Sequence, residues 1–85
     1  MGDRFGEGKA LGNLGASFGG LGQYDKAIEF FTKHLNISRE IGDRAGEGGT
    51  LGNLGGAFGS LGQYDKAIEF HTKRKKFEES LIDNK

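Results

Sequence analysis

The chain repeats itself after 40 residues. Laid over itself with that offset, GDRFGEG (Gly2 to Gly8) falls on GDRAGEG (Gly42 to Gly48), and LGNLG (Leu11 to Gly15) on LGNLG (Leu51 to Gly55). LGQYDKAIEF at Leu21 to Phe30 recurs unchanged at Leu61 to Phe70, and 25 of the 40 aligned positions are identical. A period of about 20 to 50 residues marks stacked supersecondary units, each with an apolar face that it cannot bury alone. The repeat therefore predicts two units, residues 1–41 and 42–85.

Within a unit the apolar spacing is helical. Leu11, Leu14, Phe18 and Leu21 follow one helix face, and Leu51, Leu54, Phe58 and Leu61 repeat that stripe. The second half of the first unit places Tyr24, Ala27, Ile28, Phe31, Leu35 and Ile41 at helical spacing, with Glu29 and Lys33 as an i, i+4 pair on the wet side. Gly22 and Gly62 follow the last apolar residue of each first stripe, where a left-handed helix terminus favours glycine. Asp3 and Asp43 stand where a side chain accepts from the free amides of a helix start. Each unit reads as an antiparallel helical hairpin, and the chain as all-α.

The glycine-rich first segments invite a rival reading as phosphate-binding loops. Gly6, Gly8 and Gly12 give an approximate dinucleotide fingerprint, repeated at Gly46, Gly48 and Gly52. No β-rich strand precedes either copy, and no GK[ST] follows. A nucleotide-binding fragment is therefore the remote alternative, and no cofactor is expected.

Composition narrows the rest. With no cysteine there is no disulfide framework and no thiolate zinc site, and with no secretory segment the expected setting is cytoplasmic. No apolar run approaches the ~18 residues of a membrane span. Twelve basic and twelve acidic residues give zero formal charge, so neither nucleic acid nor a membrane face is an expected partner.

The residues resemble the tetratricopeptide repeat family. The resemblance runs through Leu14, Gly15, Phe18, Gly22, Tyr24, Ala27, Phe30 and Phe31, then through Leu54, Gly55, Phe58, Gly62, Tyr64, Ala67 and Phe70. The period exceeds the family's usual length of about 34 residues, and looks most like the 40-residue variety of Pins-type G-protein-signalling modulators. This implies an α-solenoid of two helix-turn-helix hairpins, four helices in all, with right-handed stacking. Gly15 and Ala27 are then small where paired helices meet, and Leu14, Phe18, Tyr24 and Phe31 fill the surrounding wedge.

Two departures bear on function. HLNISREI (His34 to Ile41) faces RKKFEESL (Arg74 to Leu81) without a shared residue, so the last helix offers less apolar surface and reads as a terminal cap. The first helices carry six glycines (Gly6, Gly8, Gly12, Gly15, Gly19, Gly20) and seven. At about 1 kcal/mol each relative to alanine, that approaches 6 kcal/mol per helix. The chain is thus expected to be marginal as a monomer and to self-associate, swap hairpins or lean on neighbouring repeats.

The family resemblance implies a concave groove lined by first helices, taking a peptide or partner helix. Its register points to Lys9, Gly12, Ala16, Gly19 and Gly20, then Gly49, Gly52, Gly56, Gly59 and Ser60. Asn13 and Asn53 either hydrogen-bond a bound peptide, as the resemblance implies, or tie adjacent helices together. The expected partner-binding set is Lys9, Asn13, Ala16, Asn53, Gly56 and Ser60. A carboxylate-gripping groove is not supported, because Gly12 and Ala16 stand where lysine and asparagine would be needed.

Other clusters read as structure. Lys73 to Lys76 are followed by Glu78 and Glu79, which suits a solvated helix end. His34 and His71 lie far apart and read as packing or surface residues rather than metal ligands. Asp25 with Glu29, and Asp65 with Glu69, share helix faces but sit in opening turns where acids suit the dipole. No catalytic or metal set emerges. The expectation is a non-enzymatic protein-interaction module, with a self-associating structural repeat lacking an external ligand as the alternative.

Overall fold

A computed structural model describes residues 3–83 as four helices: α1 (Arg4–Gly20), α2 (Tyr24–Ile41), α3 (Arg44–Ser60) and α4 (Tyr64–Asp83). Consecutive helices pack on one another, α1 approaches α3 slightly, and α1 and α4 do not touch. The result is a slab measuring 39 × 35 × 14 Å, the all-α solenoid of two hairpins that the repeat predicts. Among the described residues no helix is long and apolar enough to cross a membrane.

Local signals set the helix ends. Asp3 and Asp43 accept from the amides of Gly6 and Gly46 at 2.9 and 3.0 Å. Gly22 (φ 78°) and Gly62 (φ 81°) terminate the first helices of the two hairpins in the left-handed region. The turn amides double back there: Gln23 N–H donates to Phe18 O and Gly22 N–H to Gly19 O, at 2.9 and 3.0 Å, with the same pair at Gln63 and Gly62. Gly42 (φ 73°) ends α2 in the same way, beyond the two terminators expected from the pattern. Asp43 then serves both neighbours, its amide donating to Ser38 O of α2 and its carboxylate capping α3.

The glycines of the first helices point mainly at the second helices. A Cβ at Gly15 would lie 2.7 Å from the Phe31 ring, one at Gly12 2.5 Å from His34 Nδ1, and one at Gly8 3.2 Å from Ile37. In the second hairpin Gly55 faces His71 at 2.6 Å, Gly52 faces the Arg74 guanidinium, and Gly48 faces Phe77 at 3.5 Å. Bare helix backbone thus receives the large side chains of its neighbour, so much of the glycine penalty is offset by close helix approach. Gly12, Gly19, Gly52 and Gly59, expected to face the groove, direct their missing side chains at His34, Ala27, Arg74 and Ala67, although Gly12, Gly19 and Gly52 still line it. The family register places those backbones beside the groove, but the Cβ direction belongs to the hairpin.

The core lies between α2 and α3. Ala27, Phe31, Leu35, Leu51, Leu54 and Ala57 form one buried cluster, with Phe18, Ile28, Phe58, Phe70 and Phe77 packed around it. Ile37 and Ser38 are buried as well, whereas Ile41, read as part of the stripe, is exposed. Gly46 makes room for Ser38, since a Cβ there would come within 2.6 Å of its Oγ, but that buried hydroxyl has no hydrogen-bond partner among the described residues. Near each turn a phenylalanine pair stacks across the hairpin, Phe18 on Phe30 at 5.4 Å and Phe58 on Phe70 at 5.5 Å. Lysines flank both pairs, Lys26 and Lys33 on the first and Lys66 and Lys73 on the second.

Candidate functional site: a groove between the first helices

α1 and α3 flank an open groove whose floor is α2. At one end Phe5, Lys9, His34, Thr50 and Asn53 line a depression, with Asp43 at its edge. Lys9, Asn13, Ala16, His34 and Asn53 line the middle. Ala16, Tyr24, Phe31, Asn53, Gly56 and Ser60 line the far end. Asn53 belongs to all three stretches, so the groove is continuous and all six residues expected from the sequence border it.

The floor is ordered by one histidine. Thr50 Oγ1 donates to Gly46 O at 2.6 Å, which uses its only proton. His34 Nδ1, 3.2 Å from that oxygen, must then donate, which fixes the neutral Nδ1–H tautomer and leaves Nε2 as the acceptor. The His34 pKa lies below its usual value, chiefly because burial disfavours the charged ring; Lys9 adds to the lowering and Asp43 opposes it. His34 is therefore a packing residue, one of the two roles expected, and from its place on α2 it contacts two other helices: Gly8 and Gly12 on α1 and Thr50 on α3.

The rim is sparse and available. Lys9, Asn13, Ala16, Asn53, Gly56 and Ser60 are all exposed. Among the described residues, neither the Asn13 nor the Asn53 side chain is hydrogen-bonded to a neighbouring helix. A Cβ at Gly49 or Gly56 would meet nothing within 4 Å, so these glycines open the groove without any packing reason. Such a surface suits close approach of a partner's backbone, with two carboxamides, one ammonium and one hydroxyl as the polar groups of that rim. Among the described residues no group of three or more His, Cys, Asp or Glu side chains is placed to hold a metal ion.

The glycine-rich segment is not an anion cradle. Residues 11–20 lie inside α1, where each amide donates to the carbonyl four residues back, and the amide of Gly6 at the helix start is taken by Asp3. The phosphate-loop alternative thus loses the free amides on which it depends.

Phe5, His34 and Thr50 were not anticipated as groove residues. Their signal lay in the differences between the two copies: Phe5 aligns with Ala45, Lys9 with Gly49, Ala16 with Gly56, Gly20 with Ser60, and His34 with Arg74. Exposed residues elsewhere, such as Asp25, Lys26 and Glu29, are identical in both copies. Sequence change between the copies therefore concentrates on the groove and on the second half of α4.

A family model described as Tetratricopeptide repeat matches residues 7–77, which takes in most of both hairpins. A search of curated proteins returned no significant match.

Proposed function

The chain belongs to the tetratricopeptide repeat family, and from that premise we propose that it is a non-enzymatic interaction module whose groove holds a protein segment. The carrying observation is the coincidence of two patterns: the open groove between α1 and α3, and the positions at which otherwise near-identical copies differ. Lys9, Asn13, Ala16, Asn53, Gly56 and Ser60 are the contact residues of this reading. The small side chains let a peptide or helix seat deeply, Asn13 and Asn53 supply amide donors and acceptors, and Lys9 attracts an acidic group at one end. With so few handles, discrimination between partners is modest. Zero net charge supports a protein partner over nucleic acid, and the lack of cysteine supports a reducing, cytoplasmic setting. The 40-residue period supports units at 1–41 and 42–85 of the long variety similar to Pins-type modulators.

A displayed peptide library panned against the complete chain tests this reading. Selected peptides should bind Ala16→Arg and Gly56→Arg at least tenfold more weakly, because each arginine fills the groove, while Lys26→Ala on the aromatic side leaves affinity unchanged. Binders indifferent to both arginines, or the absence of any binder, would place the function elsewhere.

A further inference from the structure

The two hairpins share a register but not an ion pair. Gly8, Gly15 and Gly19 of α1 receive Ile37, Phe31 and Ala27 of α2, and the aligned Gly48, Gly55 and Gly59 of α3 receive Phe77, His71 and Ala67 of α4. That register carries on to the next facing positions, Arg4 with Glu40 in the first hairpin and Arg44 with Ser80 in the second. Arg4 grips Glu40 twice, Nη2 to Oε1 at 2.6 Å and Nε to Oε2 at 3.1 Å, and these bonds hold the carboxyl below the usual carboxylate range. Arg44 keeps the guanidinium but has a hydroxyl opposite, and it pairs with no acid among the described residues. Ser80 is exposed in the last described turn of α4, where its Oγ donates to Phe77 O at 2.7 Å. Glu78 and Glu79 precede it, and Asp83 follows three residues on.

We propose that Ser80 is a phosphorylation site, and that its phosphate takes the place opposite Arg44 that Glu40 takes opposite Arg4. The donor is a nucleoside triphosphate bound to a separate, acid-directed serine kinase. Ser80 Oγ attacks the γ-phosphorus, the new O–P bond forms as the bond to the β–γ bridging oxygen breaks, nucleoside diphosphate leaves, and the hydroxyl proton passes to the kinase's base. The flanking carboxylates suit a kinase with a basic substrate cleft, and α4 touches α3 alone, so its last turn opens at low cost to reach that cleft. The reaction removes the proton that Ser80 gives to Phe77 O and puts a phosphate with strong acceptor oxygens in its place. Arg44 across the hairpin and Lys76 one turn back, both exposed, then donate to those oxygens. Glu78, already bonded to Arg74 at 3.3 Å, adds little repulsion.

This inference does not rest on the groove reading, because neither Ser80 nor Arg44 lines the groove. The complete 85-residue chain, incubated with a purified acid-directed serine kinase and magnesium ATP, should gain one phosphate that mass spectrometry places on Ser80, and Ser80→Ala should gain none. Chain carrying phosphoserine at position 80 by chemical synthesis tests the contact through phosphorus NMR. Arg44→Gln should raise the second pKa of that phosphate by about half a pH unit, the scale of a surface ion pair. Arg4→Gln, at the aligned position of the other hairpin, should leave it unchanged, and circular dichroism should show the same helix content in every variant. No phosphate on Ser80 would overturn the modification site. A phosphate titration blind to Arg44→Gln would overturn the pairing that motivates it.

Discussion

α2 and α4 open with the same residues and end in different surroundings. Both begin YDKAIEF, yet α2 buries Ala27, Phe31, Leu35, Ile37 and Ser38, while Ala67 is the one buried residue of α4 among those described. The difference is position: α2 lies between α1 and α3, and α4 touches α3 alone. The sequence follows that position, with His71, Lys75 and Glu78 standing where Phe31, Leu35 and Ser38 are enclosed. A helix flanked on both sides can be apolar on two faces, whereas one flanked on a single side must carry charge on the other.

The largest expected break in this comparison is Phe31→Ala. Removing a ring at the centre of the core should cost about 3–5 kcal/mol and leave the chain largely unfolded, whereas His71→Ala, at the exposed counterpart, should cost well under half as much. Denaturant titration followed by circular dichroism distinguishes them, and equal losses would deny the core its place between α2 and α3.

A second break contrasts glycines. Gly15→Ala pushes a methyl group into the Phe31 ring and should destabilise by about 1–3 kcal/mol. Gly56→Ala meets nothing, and should stabilise by roughly 1 kcal/mol through helix propensity. If both substitutions moved the melting temperature in the same direction, the close contact at Gly15 would be discounted.

Removing the carboxylate that caps α3 comes next. Asp43→Ala should cost about 1 kcal/mol, and Asp3→Ala at the outer helix should cost no more, since fewer neighbours depend on it. Urea midpoints of the two variants give the order directly.

The smallest effect sharpens the comparison through pH. His34 on α2 has a folded-state pKa below its unfolded value, so its stabilisation is complete above about pH 6.5 and is lost as pH falls from there through the lower folded pKa. Melting temperatures should therefore drop between neutral and mildly acidic pH, and His34→Gln should flatten that drop.

Much of this architecture was legible from local chemistry. Asp3, Asp43, Gly22 and Gly62 act through their own backbone neighbourhoods, so helix starts and stops could be read without knowing what packs where. The six groove residues were also reachable, because the family register carries from one hairpin to the next. Gly12 and Gly52, also read as groove residues, line the groove as well, but the direction of each missing side chain is defined only by His34 and Arg74 across the hairpin.

The sequence by itself determined the helices, their ends and their pairing into hairpins, because capping, left-handed glycine and 3.6-residue periodicity act within a few residues. Only the tertiary structure decided which identical residues became core. Leu14 and Leu54 share the motif LGNLG, and one is exposed while the other is sealed under α2. Burial is a property of what stands opposite, and the described residues place a helix opposite only one of them.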